Sequence, residues 1–228
     1  MFVITVEHRR VCHNAAVTAM SSSLIAFVVV VVFVVGWFAI GTQYNVRKGH
    51  EAMRWLQEGL PLIGEKTTLR WLGSSVVELK IQQAQPPFST AQVLFVLEPR
   101  DVSIIWLFAR FRRRRDLFIF RAGLRRPPQL ELEALDPSAW SAHGVESKVK
   151  AEQWTPFPAP APLIGYARPS SPRASELVAS SSVEACPLVR LAIHRSEPNL
   201  ELQWPLDQLR KHPAREVLEI VRNVAQRA

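Results

Sequence analysis

The chain has 228 residues, with 28 Lys and Arg against 20 Asp and Glu, a net charge of +8 and two cysteines. Cys12 and Cys186 lie far apart, which excludes a disulfide framework and suits a reducing compartment. Between Tyr44 and Asp136 fifteen basic residues meet ten acidic ones, so most of the positive excess sits there.

The first element decides the class. Leu24 to Ile40 is seventeen residues without a charge, mostly Val, Phe and Ile, and nothing permanently ionised lies between Arg10 and Arg47. The twenty residues from Ser22 to Gly41 rise about 30 Å as a helix, the thickness of a bilayer's hydrocarbon layer. β-Branched residues are modest helix formers in water. In lipid a helix bonds every backbone amide within the segment and a lone strand cannot. Residues 22–43 are therefore expected to form a transmembrane helix, with Trp37 and Tyr44 at the water interface. A buried core helix would show a polar stripe, and this run shows none. A cleaved signal peptide is the closer competitor, since Arg9 and Arg10 precede the run, but the run exceeds the usual signal length.

Orientation follows from flanking charge. Arg9 and Arg10 stand upstream, and Arg47, Lys48 and Arg54 downstream. Met20 is a possible alternative start, which would remove the upstream pair. The balance favours a single-pass protein with its C-terminal part in the cytoplasm. Residues 1–21 read as a short N-terminal segment, of which the first nineteen read poorly as structure.

About 185 residues remain, enough for one domain and a long loop. Residues 44–62 read as a juxtamembrane helix able to prolong the first, with Val46, Met53, Leu56 and Leu60 near one face and Gly59 and Pro61 ending it. The period then changes to two. Thr68–Leu72 and Val76–Ile81 flank Gly73-Ser74-Ser75 as a β-hairpin. Val93–Leu97 is a strand covered on both faces. Asp101 is placed to cap a helix over 102–113, and Leu117–Phe120 is the next strand. Strand, helix and strand are expected to form a right-handed βαβ crossover. Leu130–Leu135 alternates Leu with Glu as an edge or half-exposed strand. Residues 137–182, rich in Pro and Ser, are expected as a loop or linker without a core. Trp140 within them is expected to plug the sheet. Residues 183–228 return as two strands, within Leu188–His194 and Leu200–Trp204, and an amphipathic helix over Ala214–Ala225. The expected fold is α+β: one transmembrane helix, then a mixed sheet of six or seven strands with a crossover helix and a C-terminal helix, its first half in residues 63–136.

The most suggestive local feature is Ile104–Arg115. An apolar block containing Trp106 and Phe108 runs into Arg110, Arg112, Arg113, Arg114 and Arg115. On a tethered domain it can lie in the interface, with Trp106 and Phe108 among headgroups and the arginines on anionic lipid. The alternative, favoured by the flanking strands, is a packed crossover helix whose arginines complement the helix dipole. A nucleic-acid patch joined by Arg125 and Arg126 is set aside, because no nucleic-acid-binding motif accompanies the charge.

Catalytic signatures are missing: there is no G-x-S-x-G, H-E-x-x-H, Walker loop, G-x-G-x-x-G or C-x-x-C. Aspartate is limited to Asp101, Asp116, Asp136 and Asp207. Asp116 is expected to pair with nearby arginines, and His50-Glu51 and His194 stand isolated. No catalytic residue, cofactor or metal is expected. The function expected is a membrane-anchored binding or scaffold protein, contacting the bilayer, its anionic headgroups and an unidentified protein partner. The alternative is a membrane-bound enzyme acting on lipid or envelope precursors.

Overall fold

The computed structural model describes residues 7–112, 114–142 and 144–228, with side chains from residue 22 onward. One helix, α1, runs unbroken over Glu7–Gln57. It is long and apolar enough to cross a membrane, and its most apolar window is almost wholly exposed. The expected juxtamembrane helix is its C-terminal part. There the apolar face changes role: Ala52, Met53 and Leu56 are buried in the core of the domain that follows.

That domain is a nine-stranded sheet, in spatial order β1-β2-β3-β4-β9-β8-β5-β7-β6. The strands are β1 (Thr67–Trp71), β2 (Val76–Ile81), β3 (Phe88–Val96), β4 (Leu117–Leu124), β5 (Glu131–Leu135), β6 (Thr155–Phe157), β7 (Ile164–Arg168), β8 (Arg190–Ile193) and β9 (Leu200–Pro205). The helices after α1 are α2 (Ser103–Phe111), α3 (Val145–Ala151), α4 (Arg173–Ser180), α5 (Leu206–Leu209) and α6 (Ala214–Arg227).

Alternation of side chains along each strand sends one set to a common core. Phe88, Phe95, Phe118, Phe120 and Trp204 are fully buried there, against Val217, Leu218, Val221 and Val224 of α6 and Leu177 and Val178 of α4. The α6 stripe is the one its 3.6-residue periodicity predicts. Leu94, Leu117 and Ile119 form a small apolar cluster of their own.

The α+β class, the apolar N-terminal helix, the first hairpin and the terminal helix agree with expectation. Other expectations change. Every strand pairing is antiparallel, so the sheet is not mixed. β3 and β4 are direct antiparallel neighbours, with Val96 opposite Leu117, so α2 does not cross over. It projects from the end of a hairpin. The reason is reach: nine helical residues span about 13 Å, half the roughly 27 Å of an eight-residue strand.

The Pro/Ser-rich stretch is folded, and it supplies α3, α4, β6 and β7. β6 takes the sheet edge, where Pro156 removes no ladder bond that a neighbour needs. β5 therefore lies inside the sheet, between β7 and β8. Its glutamates looked solvent-facing but are paired across strands, Glu131 with Arg168 and Glu133 with Arg190.

Candidate functional site

The residues of interest gather where α1 meets the ends of β3 and β4. Asp116, at the start of β4, has a side chain only 1% exposed. Arg100 forks onto it, NH1 to Oδ1 at 3.1 Å and NH2 to Oδ2 at 3.0 Å. Lys48 of α1 donates to Oδ2, and the Glu98 amide donates to Oδ1 at 2.6 Å. Burial alone would raise the Asp116 pKa; the bonds from Arg100, Lys48 and the Glu98 amide outweigh it and hold the carboxyl below its ordinary value. Burial likewise acts to lower Lys48, but Asp116 and Asp207, the latter 2.7 Å away, keep it raised. Asn45, fully buried on α1, donates to the Glu98 carbonyl at 3.0 Å and accepts from Arg100 at 3.2 Å. The arginine stacks on Tyr44 with 5.0 Å to the ring centroid.

One turn nearer the apolar run, Gly41 allows the closest approach. A Cβ there would lie 2.3 Å from the Arg100 carbonyl oxygen and 2.6 Å from the Asp101 Cα, so the turn before α2 rests directly on α1. Trp37 then donates its indole N–H to the Arg100 carbonyl at 3.0 Å and packs on Trp106 at 6.0 Å between centroids. Trp106 donates to Glu98 Oε2 at 3.0 Å. This clamp sets the level of α2: beside Trp37, just before the apolar run of α1 ends at Ile40.

On α2 only Ala109 is buried. Ile104 (67%), Leu107 (51%), Phe108 (65%) and Phe111 (78%) are exposed, and their i, i+3, i+4, i+7 spacing makes one ridge. Val102 and Ile105 are exposed beside it. Among the described residues, the other exposed large apolar side chains are those of the α1 run, with Tyr44, Leu69, Leu72 and Trp140. Among the described residues most of the large exposed apolar side chains are thus gathered on α1 and α2.

Of the expected site residues, Trp106 is half-buried and turned to the clamp, so Phe108 and Phe111 carry the apolar ridge instead. Arg110, Arg112 and Arg115 are exposed at the end of α2 and beyond it. Arg114 is half-buried with its guanidinium 4.5 Å from the Trp140 ring centroid. Arg113 lies outside the described residues. Trp140 is an exposed stacking partner, not a plug. Asp101 does not cap α2; it accepts from Ser74 at 2.5 Å, and the helix starts at Val102 without a side-chain cap. Asp116 pairs with an arginine as expected, Arg100, sixteen positions before it, and also with Lys48. Arg125 and Arg126 follow β4, at the strand's other end from α2, and do not join the patch.

His50 is exposed, edge-on to Trp71. Its neighbour Glu51 pairs with Arg47 and Arg210. His194 has a partner that its sequence position hides. Its Nε2 is 2.8 Å from Glu133 Oε1, a contact made because Glu133 on β5 and His194 at the end of β8 share a face. Arg190 takes both oxygens of the same carboxylate and reaches Glu201, which Arg121 also holds. Burial pushes Glu133 up, and His194 and Arg190 more than reverse it. None of the four described cavities is lined by Glu133 or His194. The arrangement is a cross-strand ion network.

The chain matches no model of a known protein family, and it matches no curated protein.

Proposed function

We propose that this chain is a single-pass membrane protein whose α+β domain is held against the bilayer by a second, interfacial helix and serves as a binding or scaffold module. The observation that carries the reading is the juxtaposition of two exposed apolar surfaces. The apolar run of α1 ends at Ile40, just past Trp37, and the Ile104–Leu107–Phe108–Phe111 ridge of α2 starts at that level. Side chains of this size gain about 1.5–3 kcal/mol each when fully buried, so leaving them in water is unfavourable, and a headgroup–acyl boundary relieves it. Arg110, Arg112 and Arg115 then meet the headgroups, each contributing about 1 kcal/mol on anionic lipid. Docking is also intramolecular once α1 is inserted, so modest interfacial energy suffices.

Charge supports a cytoplasmic domain. The exposed arginines around α2 add to Arg47 and Arg54 on the C-terminal flank, against Arg9 and Arg10 upstream. The clamp of Asp116, Arg100, Lys48 and the two tryptophans gives the domain a fixed posture instead of a flexible tether. A scaffold that presents a partner-binding surface at a set height needs that stiffness.

Alkaline carbonate extraction of native membranes tests the reading. The full chain should stay in the pellet and leave it only with detergent. Release into the carbonate supernatant would remove both the span and the interfacial role.

A further inference from the structure

At the far end of the domain from α2, the structure carries a cavity of about 470 Å³ lined by Arg125, Arg126, Arg173 and Arg227. We infer that this cavity binds a soluble phosphorylated molecule.

Among the described residues seven arginines are neutralised by carboxylate side chains: Arg47, Arg100, Arg121, Arg168, Arg190, Arg210 and Arg215. The four at this cavity are not. Arg125 is steadied by backbone alone, donating Nε to the Phe88 carbonyl at 3.0 Å and NH2 to the Ala84 carbonyl at 3.2 Å. Arg173 is steadied by the Gln129 side-chain oxygen at 3.0 Å. Among the described residues Arg126 and Arg227 have no hydrogen-bond or ion-pair partner. No carboxylate side chain lines the cavity to offset the four guanidiniums. Guanidinium forks match phosphate oxygens in shape and charge, and two of these are already oriented, which lowers the cost of ordering on binding.

Size and lining narrow the ligand. The volume falls within the roughly 300–1,000 Å³ of small-molecule sites and exceeds what a lone phosphate fills. Pro86, Pro87 and Leu124 form an apolar wall against which an organic body can lie. Location narrows the source. Arg125 follows β4, whose eight residues carry it about 27 Å from the Asp116 clamp. An independent path agrees. Gln57 lies about 24 Å down α1 from Gly41, and the strand edge after it, where Gly64 bridges Ala84, touches Arg125 through the Ala84 carbonyl. The choice of a soluble ligand over a headgroup of the anchoring bilayer rests on the membrane reading above; the anion chemistry does not.

Pyrophosphate titrated calorimetrically into the full chain in nanodiscs, at fixed ionic strength, tests both parts. Saturable binding is expected in discs of neutral lipid. The exposed pair Arg126→Gln and Arg227→Gln together should weaken it at least about tenfold, from the loss of two charge-assisted contacts. Arg215→Gln, on the start of α6, should leave it unchanged. Absence of saturable binding, or a double variant that binds like the parent, would overturn the site. Binding that disappears when the discs contain phosphatidylserine would overturn the soluble source and assign the cavity to headgroups.

Discussion

Replacing Asp116 by alanine is expected to destabilise the domain by about 3–5 kcal/mol, the cost of leaving a buried charge without its partner. The side chain is almost inaccessible and receives four hydrogen bonds, from Arg100 twice, from Lys48 and from the Glu98 amide. Its loss strands the Arg100 guanidinium and leaves Lys48 with Asp207 alone, which is more exposed. The same change should loosen α1 from the sheet, since Asn45 and Trp37 depend on the position of the Arg100 segment. Chemical unfolding in detergent micelles, followed by tryptophan fluorescence, measures it. A loss below about 1 kcal/mol would mean that the clamp behaves like an exposed ion pair.

The pH dependence has a definite sign. The folded-state pKa of Asp116 lies below the ordinary 3.8. Its stabilisation is therefore complete above that value and is lost as pH falls through the depressed one. Asp116→Asn carries no such titration. Glu133 is depressed too but is present in both proteins, so the difference between parent and variant below pH 3.8 isolates Asp116. The gap between them should narrow as the medium is acidified.

Replacing Ile104, Phe108 and Phe111 together by serine is expected to free α2 from the interface. Each of these side chains gains up to about 3 kcal/mol on full burial, and an interfacial helix is buried on one side only. About 3 kcal/mol in total is a fair expectation, or a factor of roughly 10² in the opening equilibrium. A nine-residue helix has little stability of its own in water, so the amides of residues 104–111 should exchange faster by about that factor. Amides of β4 and β9, which lie in the middle of the sheet, should not change. Exchange in nanodiscs followed by mass spectrometry reads both. Equal exchange of α2 in parent and variant would show that lipid does not cover the ridge.

Local pattern carried a good part of this structure. The charge-free run, the first hairpin, the β8–β9 pair and the α6 stripe each depend on contacts between residues close in sequence. What failed depended on distant pairing. Leu-Glu alternation in β5 implied an open edge, because Arg168 and Arg190, which neutralise its glutamates, come 37 and 57 residues later. Proline and serine between 137 and 182 implied a linker, yet small side chains let α4 pack closely: Ala174 and Ser181 are fully buried.

The site divides the same way. The apolar block followed by arginines was legible, because it is one continuous segment. The side that Trp106 turns to was not, because Trp37, sixty-nine positions away, and Glu98 claim it. The Asp116 hub draws on α1, on the turn at Arg100 and on Asp207, and periodicity has no signal for that. The arginine-lined cavity draws on four segments, and each arginine alone resembles an ordinary surface residue.

On the reading proposed above, α2 lies in the boundary between headgroups and acyl chains, at the end of a spanning α1. A spin label introduced by Phe108→Cys, in a Cys12→Ser background within nanodiscs, tests it most directly. Cys186 stays silent, because burial pushes its thiol up to about 11. Collisions with oxygen, which concentrates in lipid, should exceed collisions with a water-soluble nickel chelate, and a label introduced by Arg215→Cys should show the reverse. A label at position 108 as open to the chelate as the one at position 215 would contradict the account.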